Sequence, residues 1–78
     1  MHVDQLIKMA NQIGDFFESM PDPVEAQDGI ATHIRKFWEP RMRRELIAHI
    51  DATGGAGLHP AVLQAITHQR AALAGAPS

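Results

Sequence analysis

Residues 34–46 read IRKFWEPRMRREL, and this stretch contains the chain's only tryptophan and five of its seven Lys and Arg residues. Pro40 interrupts it, because proline disfavours helical geometry in the residue before it and yet suits the first turn of a new helix. The stretch therefore predicts that one helix ends near Phe37 and that another begins at Pro40. Trp38 and Glu39 are left to form a tight corner between the two helices.

Upstream of this corner, the hydrophobic periodicity predicts two amphipathic helices. The first covers about residues 3–20, with apolar residues spaced three and four apart: Val3, Leu6, Ala10, Ile13, Phe17 and Met20. Asp22, between two prolines, is placed to cap a second helix that runs to about Phe37. The core face of the second helix is predicted to contain Ala26, Ile30, Ile34 and Phe37, with Gly29 on its polar side.

Downstream, a third helix is predicted from Pro40 to about Ala52, with Met42, Leu46 and Ile50 as its core face. Residues 53–57 read TGGAG and are interpreted as a helix C-cap followed by a connector, because the features of a phosphate-binding P-loop are missing. A short fourth helix begins at Pro60. The expected fold class is all-α, a small bundle of three main helices plus a short C-terminal helix. We expect a single helical domain in residues 1–74 and a frayed tail in residues 75–78.

Composition limits the function classes. The chain has 78 residues, a net charge of −2 and no cysteine, so disulfides and thiolate metal sites are excluded. No apolar run approaches the roughly 20 residues that cross a membrane, and no signal-peptide pattern opens the chain. These features favour a cytoplasmic protein with no membrane partner. The slightly acidic charge argues against general nucleic-acid binding.

Catalytic and metal-binding patterns are weak. No two of the five histidines have the i, i+4 spacing of a helical metal site, although His33 and His49 fall at matching edges of their helices and could approach each other. No nucleophile motif is present, and a chain of this size leaves little room for a ligand cleft. We therefore expect a non-catalytic chain that binds no metal or cofactor of its own.

The basic stretch has two interpretations from its residues. On the third helix, Ile47 is predicted to share the outer side of Arg43 and Arg44. Since Trp and Arg are enriched in protein interfaces, the sequence predicts a partner-binding surface. Its members are Trp38, Arg41, Arg43, Arg44 and Ile47. In the other interpretation, Trp38 closes the core and the arginines pair with Glu39, Glu45 and the acidic first helix. The helix–corner–helix arrangement also suggests, as a rival class, a small helix-turn-helix nucleic-acid-binding protein.

Two strings carry a family resemblance, LIKMANQIGDFF at residues 6–17 and HIRKFWEPRMRRE at residues 33–45. Together they resemble the delta subunit of the soluble NAD-dependent, molybdenum-containing formate dehydrogenase, over about residues 5–70. The resemblance implies a non-catalytic accessory subunit that binds the catalytic alpha subunit and supports assembly, stability or molybdenum-cofactor insertion. It implies beta and gamma subunits as further partners and no nucleic acid.

The resemblance also implies where the cofactors lie. The complex is expected to carry bis-molybdopterin guanine dinucleotide, iron–sulfur clusters and FMN, and this chain is expected to carry none of them. The predicted surface would dock on the alpha subunit, with the arginines on its carboxylates or near the cofactor during loading. The apolar stripe of the first helix suits either a core or a dimer, so self-association stays open.

Overall fold

The computed structural model describes residues 2–74, and every regular element in that range is an α-helix. The helices are α1 (Val3–Phe17), α2 (Pro23–Phe37), α3 (Pro40–Thr53), α4 (Pro60–His68) and α5 (Arg70–Leu73). The predicted all-α class is confirmed, with three helices of 14 or 15 residues and a shorter C-terminal part divided into α4 and α5. The predicted frayed tail, residues 75–78, lies outside the described residues. Within residues 2–74 no helix is long and apolar enough to cross a membrane.

The helix ends follow the local sequence signals, with one exception. Asp22 caps α2 by accepting a hydrogen bond from the Val24 N–H at 2.9 Å. Gly54 ends α3 with a φ of 76°, a left-handed conformation that glycine adopts without steric cost. The exception is α1, which ends at Phe17 and leaves Met20 outside the helix. Pro21 explains the early end, because it disfavours helical geometry at Met20.

The glycine-rich connector after α3 is organised by Thr53. Its hydroxyl accepts hydrogen bonds from the Gly55 N–H at 3.2 Å and from the Ala56 N–H at 3.0 Å. These two backbone donors are thereby occupied inside the loop. The C-cap and connector interpretation is confirmed by this geometry and by the left-handed Gly54.

The core draws on all five helices, and α2 lies at its centre in contact with α1, α4 and α5. The largest fully buried side chains are Leu6, Ile30, Ile34, Leu46, Val62 and Leu73. Two predictions about the core are wrong. Ile47 is buried with Leu46, whereas Phe37 is 72% exposed. Trp38 at the corner between α2 and α3 takes the place of Phe37 in the core, and Ile47 is covered because α3 packs against both α1 and α5.

Candidate docking surface

The corner between α2 and α3 consists of Trp38 and Glu39 alone. Both residues have extended backbone, with ψ of 142° and 151°, and the Trp38 N–H still bonds to the Ile34 carbonyl at 3.0 Å. The Trp38 side chain is only 6% exposed and packs into the core. Trp38 thus closes the core, as in the second interpretation of the sequence. Phe37, the residue before it, is exposed to solvent.

The Arg43 side chain links α3 to the end of α2 at this corner. Its Nη1 donates to the Arg35 carbonyl at 2.7 Å, one of the last four carbonyls of α2, which lack partners within that helix. A guanidinium also compensates the negative end of the α2 dipole. The Arg43 Nε is buried with no hydrogen-bond partner within the described residues. Arg43 is therefore committed to fixing α3 against α2.

Arg41 and Arg44 differ from Arg43, and we call these two exposed residues the arginine patch. Neither forms an ion pair with any carboxylate of residues 2–74. Asp15 of the first helix has another partner, since its Oδ1 lies 3.0 Å from His59 Nδ1. The expected pairing of the arginines with Glu39, Glu45 and the acidic first helix is therefore not observed in that range.

Ile47 does not lie on the outer surface beside Arg43 and Arg44, so that part of the sequence interpretation is wrong. It is 6% exposed and belongs to the core. The reason is that α3 packs against both α1 and α5, so it buries a face wider than the single stripe that the period predicted. Of the five predicted partner-binding residues, three therefore lie wholly or partly inside the fold, and only the two residues of the arginine patch are exposed.

A second feature lies beside the corner, an apolar groove of about 570 Å³ between α1, α2 and the start of α3. We call it the aromatic groove, and it is lined by Met9, Gln12, Ile13, Phe16, Phe17, His33, Phe37, Trp38 and Met42. Phe16 and Phe37 are each 72% exposed. Exposed phenylalanines on both walls of one groove are unusual for a surface that meets only water.

The aromatic side chains form a continuous row across the groove. The ring centroids of Phe16 and Phe17 are 5.0 Å apart, those of Phe17 and His33 are 6.4 Å apart, and those of His33 and Phe37 are 4.7 Å apart. His33 thus lies between aromatic rings, while His49 Nε2 lies 2.7 Å from the Ala56 carbonyl oxygen. The suggested His33–His49 site is not formed, and residues 2–74 contain no cluster of three or more possible metal ligands among His, Cys, Asp and Glu.

Gly29 determines the position of the Phe17 ring. A Cβ atom at Gly29 would lie 2.5 Å from both Cδ1 and Cε1 of Phe17, so the ring rests directly on the α2 backbone. The predicted placement of Gly29 on a polar face is wrong, because Phe17 covers it. A shallower depression continues from here along α2, past Phe37 to Lys36.

Sequence reasoning missed the groove because it assigned Phe17 and Phe37 to the core. One signal was present: Phe16 and Phe17 are adjacent, and two neighbouring residues of a helix cannot both lie at the centre of one buried face. One of the two phenylalanines must therefore lie outside the buried face, which indicated a second apolar face on α1.

A protein-family model described as "NADH-dependant formate dehydrogenase delta subunit FdsD" matches residues 5–66. The chain belongs to this family. The match covers the corner, the arginine patch and every residue of the aromatic groove. No curated protein and no solved structure gives a significant match. Membership of the delta-subunit family makes this chain a small subunit of an oxidoreductase complex. The family therefore favours the formate dehydrogenase interpretation over the helix-turn-helix alternative.

Proposed function

We propose that this delta subunit is a non-catalytic accessory subunit of a cytoplasmic formate dehydrogenase. It binds the catalytic alpha subunit and supports assembly, stability or molybdenum-cofactor insertion, with beta and gamma subunits in the same complex. The observation that supports this proposal is the arginine patch, two exposed cations without ion-pair partners in residues 2–74, held on a rigid corner. The bis-molybdopterin guanine dinucleotide, iron–sulfur clusters and FMN belong to the larger subunits, and this chain has no cysteine with which to ligate a cluster.

The corner gives the patch a defined direction. Trp38 and Ile47 fill the core beneath it, and Arg43 ties the first turn of α3 to the end of α2. In the proposal these three residues position the surface, while Arg41 and Arg44 contact the partner. Guanidinium groups suit this role because they bind carboxylates through two parallel hydrogen bonds.

Binding would also stabilise the subunit itself. A domain of this size buries a smaller fraction of its surface than a larger domain does, so its own stability is modest. A partner that binds only the folded form adds to that stability by mass action. The subunit is therefore expected to be more resistant to unfolding and proteolysis in the complex than alone.

The experiment is co-expression of the tagged chain with the larger subunits, followed by affinity purification. The double variant Arg41→Glu/Arg44→Glu should retain at least about tenfold less alpha subunit, because like-charge contacts at an interface cost several kcal/mol. Lys8→Glu/Arg35→Glu is the matched control, since it reverses two exposed cations outside the patch. Equal retention by both double variants would rule out the patch as the contact. A wild-type chain that retains no alpha subunit would overturn the proposed function, and retention of nucleic acid that is lost in salt would instead support the helix-turn-helix class.

The proposed roles can be separated by what the complex lacks when the chain is absent. An assembly or stability role predicts that the larger subunits dissociate or precipitate. A role in cofactor insertion predicts an intact complex with a low molybdenum content and correspondingly low formate-dependent NAD reduction. An unchanged complex with full molybdenum content would contradict all of these roles.

A further inference from the structure

Every phenylalanine and tryptophan of the sequence lies in the lining of the aromatic groove. The chain has three phenylalanines, one tryptophan and no tyrosine, and all four residues line the groove together with the His33 ring. Met9 and Met42 also line it, and methionine sulfur makes favourable contacts with aromatic rings. A small protein that gathers its aromatic side chains at one open site presents a surface suited to a further ring.

The lining of the groove contains no Lys, Arg, Asp or Glu. A charged ligand would lose its hydration there without gaining an ionic partner, which is costly. The two polar side chains of the lining are Gln12 and His33, and neither forms a hydrogen bond within residues 2–74. The groove therefore favours an uncharged ligand with a hydrogen-bonding group that these two side chains orient.

The size of the groove suits a small molecule better than a protein segment. Its volume of about 570 Å³ falls within the range of about 300–1,000 Å³ that is usual for small-molecule sites. Phe16 and Phe37 are each 72% exposed and offer roughly 300 Å² of surface together, whereas a stable protein interface buries about 800 Å² on each partner. Charge does not select a protein segment either, because Asp28 and Lys36 both line the adjoining depression.

We propose that the aromatic groove binds a small, uncharged aromatic molecule that carries a hydrogen-bonding group. The ligand lies between Phe16 on α1 and Phe37 on α2, and its polar group bonds to Gln12 or His33. Aromatic rings attract each other in offset-stacked and edge-to-face arrangements, and the Phe16 and Phe17 rings already show the second of these, with their planes at 89°. This inference goes beyond the proposed function and does not rest on it.

The two walls and the interior of the groove differ in their freedom to move. Phe16 lies in the last turn of α1 and Phe37 is the last residue of α2. Both side chains are exposed, so a change of their rotamers around a ligand leaves the core undisturbed. Trp38, by contrast, is 6% exposed and belongs to the core, which makes it a fixed part of the lining.

The first experiment is a titration of the isolated chain with naphthol, an uncharged aromatic alcohol, followed by NMR. Trp38 is the only tryptophan, so its indole N–H signal reports on the groove without ambiguity. We expect this signal to shift with a Kd of about 1 mM or lower, which is within reach of a ligand of this size. The absence of a shift would overturn the inference.

Two matched compounds test the chemical class of the ligand. Naphthoate keeps the rings and adds a negative charge, whereas decahydronaphthol keeps the hydroxyl and the carbon skeleton but is saturated. Each should bind at least about fivefold more weakly than naphthol, because the lining has no cation for the first and loses ring contacts with the second. Equal or tighter binding of either compound would contradict the assigned class.

Phe16→Leu and Phe37→Leu each remove one wall ring and keep an apolar side chain. Each should weaken naphthol binding by about fivefold and leave decahydronaphthol binding unchanged. Val24→Leu is the matched control, because Val24 is 65% exposed on α2 and lies outside the groove lining; it should bind naphthol as the wild type does. Circular dichroism should show all three variants folded, since the substituted side chains are exposed. Wild-type naphthol affinity in both phenylalanine variants would show that the ligand does not lie between these rings.

The double variant Gln12→Leu/His33→Phe removes both polar groups of the lining and keeps their bulk. The wild-type chain should bind naphthol more tightly than naphthalene, and the double variant should lose this preference because the hydroxyl no longer has a partner. A preference that persists in the double variant would show that neither Gln12 nor His33 orients the ligand.

The same Trp38 signal distinguishes the other occupants. A signal that moves with protein concentration in the absence of ligand would assign the groove to a second copy of this chain. Naphthol that binds the isolated chain but not the chain in the assembled complex would assign the groove to a segment of a larger subunit. Either result would overturn the inference, and neither depends on the Arg41→Glu/Arg44→Glu variant that tests the proposed function.

Discussion

At the scale of single residues, the first turn of α3 shows that like side chains can serve different purposes. Arg43 is half-buried and donates to the Arg35 carbonyl across the corner, whereas its neighbour Arg44 is exposed and forms no ion pair in the described part of the chain. The difference arises from the 100° step between successive helical residues. One arginine of this pair fixes the fold, and the other is free for a partner.

We expect Arg43→Ala to lower the free energy of unfolding by about 1–2 kcal/mol, since it removes a charge-assisted hydrogen bond to an otherwise unpaired carbonyl. Arg44→Ala should stay within about 0.5 kcal/mol of wild type, as exposed substitutions usually do. Urea denaturation of the isolated chain, followed by circular dichroism, measures both values. Equal effects of the two substitutions would show that Arg43 does not brace the corner.

At the scale of the helix, α2 and α3 begin alike and are capped differently. Both have proline in the first turn after an extended N-cap residue, but the Asp22 carboxylate bonds to the Val24 N–H while Glu39 makes no side-chain capping bond. A glutamate is one methylene longer than the aspartate that favours this position. The N-terminus of α3 is thus uncapped by its own N-cap side chain, although the corner holds it in place.

The paired substitutions Glu39→Asp and Asp22→Glu should act in opposite directions. Glu39→Asp should stabilise the chain by about 0.5–1 kcal/mol, because the shorter carboxylate reaches the free N–H groups of α3, and Asp22→Glu should destabilise it by a similar amount. Both variants keep the net charge, which isolates the effect of side-chain length. Thermal unfolding is the measurement, and a shift of the same sign in both variants would contradict the capping explanation.

At the scale of the whole molecule, one ion pair ties α3 to α5. Arg70 donates to both carboxylate oxygens of Asp51, at 2.7 and 2.6 Å, and holds the short α5 where Leu73 completes the core. The side-chain hydrogen bond from Arg70 lowers the pKa of Asp51 below its ordinary value of 3.8; desolvation opposes this shift, and the positive charge of Arg70 makes a smaller contribution that lowers the pKa. The same hydrogen bond raises the pKa of Arg70.

Because of this lowered pKa, the free energy of unfolding depends on pH. The folded state releases the Asp51 proton more readily than the unfolded state, so the pair stabilises the fold above about pH 4 and its contribution is lost as the pH falls through the folded-state pKa. We expect Asp51→Asn to be less stable than wild type at pH 7, with the difference closing as the pH falls through the folded-state pKa of Asp51. Arg70→Gln should behave in the same way, since it removes the other partner. Denaturation curves at several pH values test this, and a difference that persists at low pH would assign it to a cause other than the charge.

The sequence by itself determined the features that depend on neighbouring residues. The all-α class, the helices that begin at the prolines, the Asp22 cap, the Gly54 end of α3 and the two-residue corner were all predictable, because proline, capping residues and glycine act over a few positions. The two strings at residues 6–17 and 33–45 likewise sufficed for the family, which the matched family model confirms. The error at the end of α1 is of the same local kind, since the apolar period continued past the point where Pro21 stops the helix.

Only the tertiary structure decided which surfaces stay open. Burial of Ile47 depends on α3 packing against two other helices, and exposure of Phe37 depends on Trp38 taking its place in the core. The Phe17 ring packs on Gly29 where α1 crosses α2, and this contact forms part of the aromatic groove. Periodicity specifies which side chains share a face of one helix, but the number of helices that cover that face is set by contacts between residues far apart in the chain.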